Sequence, residues 1–162
     1  MDSLPLQWGS RSSGDFAFCG LQITVRMPYI TLDQKAHCMN LSTIAVPSHR
    51  ARCPSSPVTE LERNSLRKCL GEQIWAVDQT VPTGSFHVSA IASKVQSATV
   101  ATLLECNKNA RRIRNEPVVL NFGPMSKHIC VYSFGDSSKS KPPQRGMATF
   151  IGEIVWGNKP VV

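Results

Sequence analysis

Four cationic residues within one short stretch are the strongest chemical signal in the sequence. Lys108, Arg111, Arg112 and Arg114 fall within seven residues of one another, near the end of a predicted helix. Cations in the last turn of a helix gain about 0.3–1 kcal/mol each from its macrodipole. Four such residues exceed what the dipole requires, and Lys and Arg side chains bind nucleic-acid phosphates. The cluster predicts a weak, sequence-independent nucleic-acid contact, with a solvated helix surface as the alternative.

The charge of the whole chain points in the same direction. The 162 residues carry a formal net charge of +7. Residues 1–60 contribute +1, residues 61–116 contribute +3 and residues 117–162 contribute +3. A basic balance favours polyanionic partners through phosphate contact, without specifying a nucleotide sequence.

Other chemistry has little support in the residue patterns. The sequence has no G-x-x-x-x-G-K phosphate loop, no G-x-S-x-G nucleophile motif and no H-E-x-x-H zinc motif, so we expect no small-molecule substrate. It also lacks an 18-residue apolar run and a basic n-region followed by an apolar segment. We therefore expect an intracellular chain that is not secreted and does not span a membrane.

The six cysteines lie far apart in the sequence. They are Cys19, Cys38, Cys53, Cys69, Cys106 and Cys130, and no C-x-x-C pair occurs. Zinc sites usually use close ligand pairs, and disulfides are rare in intracellular proteins. We expect buried, reduced thiols and no metal site.

The residues that precede the cluster predict β-strands and then helices. Apolar residues favour a strand over 15–25 and another over 29–32, joined at Met27-Pro28 as a hairpin. Asp33 is the predicted cap of a short helix over 34–41. Residues 45–58, rich in Pro, Ser and Arg, indicate a linker in which Arg50 and Arg52 are mostly solvated.

Three helices are predicted over residues 59–116. Thr59 and Glu62 fit a capping box for the first helix, which runs to about Asp78. Its apolar stripe consists of Leu66, Leu70, Ile74 and Val77, and we expect Trp75 to lie between this helix and the next. After a Val-Pro-Thr-Gly break the second helix covers about 87–96. The third begins after Thr99 and carries the basic cluster.

Residues 117–162 predict β-structure. Runs rich in β-branched residues cover 117–122, 129–134 and 147–156, and a loop rich in Ser, Lys and Pro covers 135–146. Either three antiparallel strands or a hairpin of the last two, with a long loop, is consistent with this pattern.

The order of residues over 66–88 resembles a segment of the Pol polyproteins of copia-type LTR retrotransposons, downstream of the reverse transcriptase palm. The matching positions are Gly71, Trp75, Gln79, Thr80, Pro82, Ser85 and Phe86. Two further segments are similar to the family: F-x-F-C-G-L-Q-I with I-T-L-D-Q, and A-T-V-A-T-L-L-E-C-N-K-N-A-R-R-I-R. The family's Arg-Pro-Asp turn is Val81-Pro82-Thr83 here, which indicates a diverged copy.

This resemblance implies that a ribonuclease H-like domain, which uses Mg²⁺ in this family, starts near Ile129. In ungapped register the catalytic Asp position is occupied by Phe134. Two-metal hydrolysis requires several converging carboxylates, whereas residues 117–162 contain only Asp136 and Glu153. Polymerisation would require a pair of adjacent aspartates, and the sequence contains no such pair. We expect no catalysis and no bound cofactor.

The sequence thus predicts an α+β chain in four parts. These are a palm-like hairpin and short helix (1–44), a linker (45–58), a thumb/connection-like helical region (59–116) and a truncated, ribonuclease H-like β-region (117–162). The expected function is that of a non-catalytic retrotransposon-derived fragment with weak nucleic-acid binding. The alternatives are part of an active polymerase/ribonuclease H assembled with missing segments, and a protein-interaction module. Unpaired strand edges predict self-association.

Overall fold

The computed structural model describes residues 14–124, 129–138 and 144–153, and its fold is α+β as predicted. The helices are α1 (Lys35–Met39), α2 (Ser48–Ala51), α3 (Glu60–Gln79), α4 (Ser85–Ala92) and α5 (Val100–Asn115). The strands are β1 (Asp15–Phe18), β2 (Leu21–Arg26), β3 (Tyr29–Asp33), β4 (Val119–Phe122), β5 (Ile129–Ser138) and β6 (Gln144–Glu153). Short 3₁₀ turns cover Pro82–Gly84 and Val95–Ser97.

The first sheet is antiparallel, with strand order β1-β2-β3-β4. The single strand predicted over 15–25 is wrong, because the chain reverses at Cys19-Gly20 and forms two strands. Both turn residues have positive φ, 49° for Cys19 and 79° for Gly20. Such a two-residue turn matches the twist of the strands that it joins. The predicted turn at Met27-Pro28 is confirmed, since Arg26 pairs with Tyr29.

One face of this sheet is entirely apolar. The strand register places on it Phe16, Phe18, Leu21, Ile23, Val25, Ile30, Leu32, Leu120 and Phe122. None of the nine is fully buried, and Phe18 is 62% exposed. We call this surface the apolar sheet face. The opposite face carries polar groups, including an ion pair between Asp15 and Arg26 at 2.6 Å.

Strand β4 corrects the expected grouping of the C-terminal strands. It pairs with β3, with Leu32 opposite Leu120, and so completes the N-terminal sheet instead of joining β5 and β6. The last two strands form a separate hairpin, which is the second of the two predicted arrangements. Its register runs from Ile129 opposite Glu153 to Ser138 opposite Gln144, and the predicted loop over 135–146 is therefore partly strand.

Helix α3 begins as the sequence predicts. The Thr59 hydroxyl accepts from the Glu62 amide at 3.2 Å, and Glu62 Oε2 accepts from the Thr59 amide at 2.8 Å. These bonds satisfy donors that a helix N-terminus leaves free. The second predicted helix, over 87–96, is shorter: α4 covers Ser85–Ala92 and a 3₁₀ turn follows.

The core lies between α3, α4 and α5. Leu66, Ile91 and Leu103 are fully buried there. Leu70 and Val77 of the predicted stripe are also buried, but Ile74 is 39% exposed and Trp75 is 40% exposed, so these two expectations are wrong. The buried face of α3 is instead completed by Cys69, Gln73 and Ala76.

A segment without helix or strand lies across the two long helices. Residues 41–47, which we call the strap, are held through their backbone by side chains of α3 and α5. Asn107 clamps Ile44, accepting from its amide at 2.7 Å and donating to its carbonyl at 2.8 Å. Glu72 Oε2 accepts from the amide of Ser42 at 2.7 Å and from its hydroxyl at 2.6 Å. Because buried backbone groups need partners, these bonds allow an irregular segment to cover the core.

The chain is also held by hydrogen bonds on either side of the strap. The N-cap of α1 is Gln34 and not Asp33 as predicted. Asp33 lies one residue earlier, where it accepts from the Lys35 amide at 3.0 Å, and α1 is shorter than predicted. The predicted linker over 45–58 contains α2, and its Pro57 forms a β-bridge with Thr99. Among the described residues, no helix has both the length and the apolar character needed to cross a bilayer.

Candidate nucleic-acid interface

Helix α5 positions the predicted cationic cluster. Thr102 Oγ1 accepts from the Thr99 amide at 3.2 Å and thereby orders the first turn. Val100, Leu103, Cys106, Ala110 and Ile113 are buried along one side of the helix. The helix is therefore fixed by its apolar side, and its other side faces solvent.

Three of the four predicted binding residues share the solvent side. Lys108, Arg111 and Arg112 are all exposed, and they are spaced as i, i+3 and i+4. Residues at this spacing are neighbours on a helix surface. We call these three residues the basic face. Like charges held side by side are unfavourable, and a polyanion that binds there relieves the repulsion.

Acidic residues neutralise only part of this surface. Glu116 lies 3.6 Å from Arg112, at i+4, in an exposed ion pair. Glu105, one turn before Lys108, is paired with Lys94 at 3.2 Å. Within the residues that the structure describes, Lys108 and Arg111 have no ion-pair partner. Their charges remain free to meet a phosphate.

Arg114 lies on a different side of α5 from the basic face. Its Nη2 donates a hydrogen bond to the carbonyl oxygen of Leu41, at the start of the strap, and the residue is half-buried. The sequence held a signal for this placement, since Arg114 is seven residues after Asn107 and four after Ala110, both of which are buried. Arg114 therefore holds the strap and is separate from the other three cations.

The arginines of the predicted linker also differ from each other. Arg50 donates to Glu62 Oε2 at 2.7 Å and to the Pro57 carbonyl at 3.0 Å. The Arg50 guanidinium, together with the Thr59 amide, lowers the pKa of Glu62 to about 2. Arg50 thus joins α2 to the start of α3, whereas Arg52 is exposed, as expected for a solvated residue.

The carboxylates of the last hairpin are far apart along its backbone. Asp136 stands opposite Gly146 and Glu153 stands opposite Ile129, so the two positions are seven register steps apart. At about 3.3 Å per residue this separation is about 23 Å. Elsewhere in the described parts of the chain, no three His, Cys, Asp or Glu side chains form a group that could hold a metal ion.

Sequence reasoning missed a polar network in the core. Gln73 Nε2 lies 3.2 Å from the sulfur atoms of both Cys69 and Cys106, and Gln73 Oε1 accepts from Asn109 at 2.8 Å. The available signal was the placement of Gln73 and Asn109 on the core-facing sides of their helices, because a polar residue at such a position requires a partner.

No family model, no curated protein and no solved structure matches this chain.

Proposed function

We propose that this chain is a non-catalytic, retrotransposon-derived fragment whose basic face binds the backbone of nucleic acids without sequence preference. The observation that carries the proposal is the placement of Lys108, Arg111 and Arg112 on one exposed side of α5. Among the residues that the structure describes, only Arg112 of these three forms an ion pair. Three phosphate contacts predict weak binding with a modest salt dependence.

The lack of catalysis is supported by the arrangement of the last hairpin. A two-metal site places its ions about 3.5–4 Å apart and needs carboxylates that converge on both. The only two acids after residue 116 occupy backbone positions about 23 Å apart. The proposal includes an intracellular location, where nucleic acids are available, and no metal cofactor.

Fluorescence anisotropy with a labelled RNA–DNA hybrid and with single-stranded DNA tests the binding. Raising the salt concentration from 50 to 200 mM should weaken it roughly 20- to 40-fold if three phosphates are contacted. The double variant Lys108→Ala with Arg111→Ala should weaken the binding further. It should also lower the slope of log affinity against log salt concentration by about two, one for each lost phosphate contact. The matched control is Arg67→Ala with Lys68→Ala, which removes the same charge from an exposed side of α3.

Equal losses of nucleic-acid affinity in the two double variants would show that net charge, not the basic face, determines binding. The same preparations report on catalysis. Magnesium-dependent cleavage of the hybrid by the chain alone would contradict the non-catalytic proposal. Cleavage only after addition of a complementary palm fragment would support the alternative of an assembled polymerase/ribonuclease H.

The apolar sheet face favours a second candidate, self-association. Phe18, Ile30 and Phe122 on it are 62%, 42% and 38% exposed. In the described part of the chain, β1 and β4 each have one strand as a neighbour, so an outer edge of each is open to pairing. Light scattering after size-exclusion chromatography tests this. A dimer that Phe18→Lys dissociates supports the candidate, and a monomer at all concentrations contradicts it.

A further inference from the structure

Two cysteines from different helices meet in the core. Cys69 of α3 and Cys106 of α5 are 37 residues apart in sequence, and their sulfur atoms are 3.6 Å apart. Both residues are at most 1% exposed. A disulfide bond is about 2.05 Å long, so the sulfur atoms need to approach by roughly 1.5 Å to become bonded.

The groups around this pair act on the Cys69 thiol in both directions. The amide of Gln73 points its nitrogen at both sulfur atoms, because its oxygen is occupied by the Asn109 amide. The hydrogen bond from the neighbouring Cys106 thiol lowers the pKa of Cys69, against burial and the Glu72 carboxylate, which both raise it. The hydrogen bond to Cys69 and burial together raise the Cys106 pKa. Cys69 is therefore the nucleophile of the pair, since the thiolate is the reactive form.

The strap is in contact with the pair. The Cys69 thiol donates a hydrogen bond to the carbonyl oxygen of Ser42 at 3.2 Å, so Ser42 lies directly against this sulfur. The strap has no helix or strand of its own and depends on side-chain contacts from Glu72, Asn107 and Arg114. Segments of this kind open locally at lower free energy than regular helices do. A small oxidant can reach Cys69 when the strap opens.

We propose that Cys69 and Cys106 are an oxidisable pair that hydrogen peroxide converts into a disulfide between α3 and α5. The Cys69 thiolate attacks one peroxide oxygen and the O–O bond breaks. The departing hydroxide takes up the proton that Cys69 lost on ionisation and leaves as water. The product is a sulfenic acid on Cys69. Cys106 then attacks that sulfur, the S–O bond breaks as the S–S bond forms, and a second water leaves. Two thiols are oxidised, and one peroxide is reduced to two waters.

The disulfide would link the two long helices directly. It closes a loop between residues 37 apart, which restricts the unfolded chain more than the folded one. We expect the oxidised protein to melt roughly 5–15 °C higher than the reduced protein. This modification goes beyond nucleic-acid binding and does not depend on it.

Treatment of the reduced full-length protein with hydrogen peroxide tests the proposal. Intact mass should fall by two hydrogen atoms, and peptide mapping without reductant should find the cross-linked peptides of Cys69 and Cys106. The melting temperature should rise on oxidation, and a reductant should reverse this rise. The mapping uses the wild-type protein, so it remains decisive if a core variant folds poorly.

Two variants complete the experiment. Cys106→Ala should abolish both the cross-link and the rise in melting temperature. Cys19→Ser with Cys53→Ser is the matched control, because both of these cysteines are exposed, and it should retain both effects. A cross-link through any other cysteine, overoxidation of Cys69 without a cross-link, or an unchanged melting temperature would overturn the proposal.

Discussion

The helical region and the four-stranded sheet bury their apolar residues to different extents. In the helical region, Leu66, Ile91 and Leu103 are at 0% exposure. The sheet has nine apolar residues on one face, and none of them is fully buried. Hydrophobic stabilisation scales with the area removed from water, so most of the stability should come from the helices. The sheet, in contrast, retains apolar surface that a second molecule could cover.

Truncation of one leucine in each region should give the largest difference. Leu103→Ala leaves a cavity beneath α5 and should lower the free energy of unfolding by about 3–5 kcal/mol. Leu32→Ala, on the half-buried sheet face, should lower it by only about 1–2 kcal/mol. Urea unfolding followed by circular dichroism measures both. Equal losses would mean that the sheet face is covered in solution.

Loss of the Asn107 clamp should have the next largest effect. Asn107→Ala leaves the amide and the carbonyl of Ile44 without their partners, and should cost about 2–3 kcal/mol. Asn115→Ala, an exposed substitution on the same helix, should change stability by less than about 0.5 kcal/mol. Hydrogen exchange of the Ile44 amide provides a direct readout. If this amide stays protected in Asn107→Ala, the clamp does not hold the strap.

The smallest expected difference in the free energy of unfolding is between variants of two carboxylates, Glu62 in the helical region and Asp15 in the sheet. Glu62→Ala removes the capping-box acceptor and should cost about 1 kcal/mol at neutral pH. Because the folded-state pKa of Glu62 is about 2, its contribution is present above the ordinary value of 4.5 and is lost as the pH falls toward 2. The variant should therefore show a weaker loss of stability in acid. Asp15→Ala should change the free energy of unfolding much less than Glu62→Ala does, because its ion pair with Arg26 is exposed to solvent.

Chemical denaturation at a series of pH values measures this contrast. The exposed Glu60, two residues before Glu62, provides the control, and Glu60→Ala should retain the acid-dependent loss. An Asp15 variant that is as destabilised as the Glu62 variant would show that the sheet edge contributes more than its exposure suggests.

Local patterns in the sequence predicted most of the helices and strands, but only some of their ends. The capping box at Thr59 and Glu62 and the turn at Met27-Pro28 were both predicted, since each depends on residues that are close in sequence. The turn at Cys19-Gly20 was missed because apolar residues continue on both sides of it. The position of β4 beside β3 was also missed, since this pairing joins residues about ninety positions apart and no local periodicity encodes it.

Local spacing along the sequence also predicted part of the candidate site. Helical spacing places Lys108, Arg111 and Arg112 side by side, and the structure keeps them exposed. The contact of Arg114 with the Leu41 carbonyl depends on the path of the strap, which the apolar pattern of α5 does not define. The proximity of Cys69 and Cys106 likewise follows from how two helices pack, not from the spacing of cysteines along the chain.

The clamp on the strap has a consequence for mutational tolerance. Asn107 forms its two hydrogen bonds in the clamp with main-chain atoms of Ile44, and Glu72 bonds to the main chain of Ser42 as well as to its hydroxyl. Any amino acid other than proline offers the same amide and carbonyl groups to such a clamp. The exposed neighbours Thr43 and Ala45 can therefore accept a fluorophore or an affinity label, while the amide side chain of Asn107 must be retained.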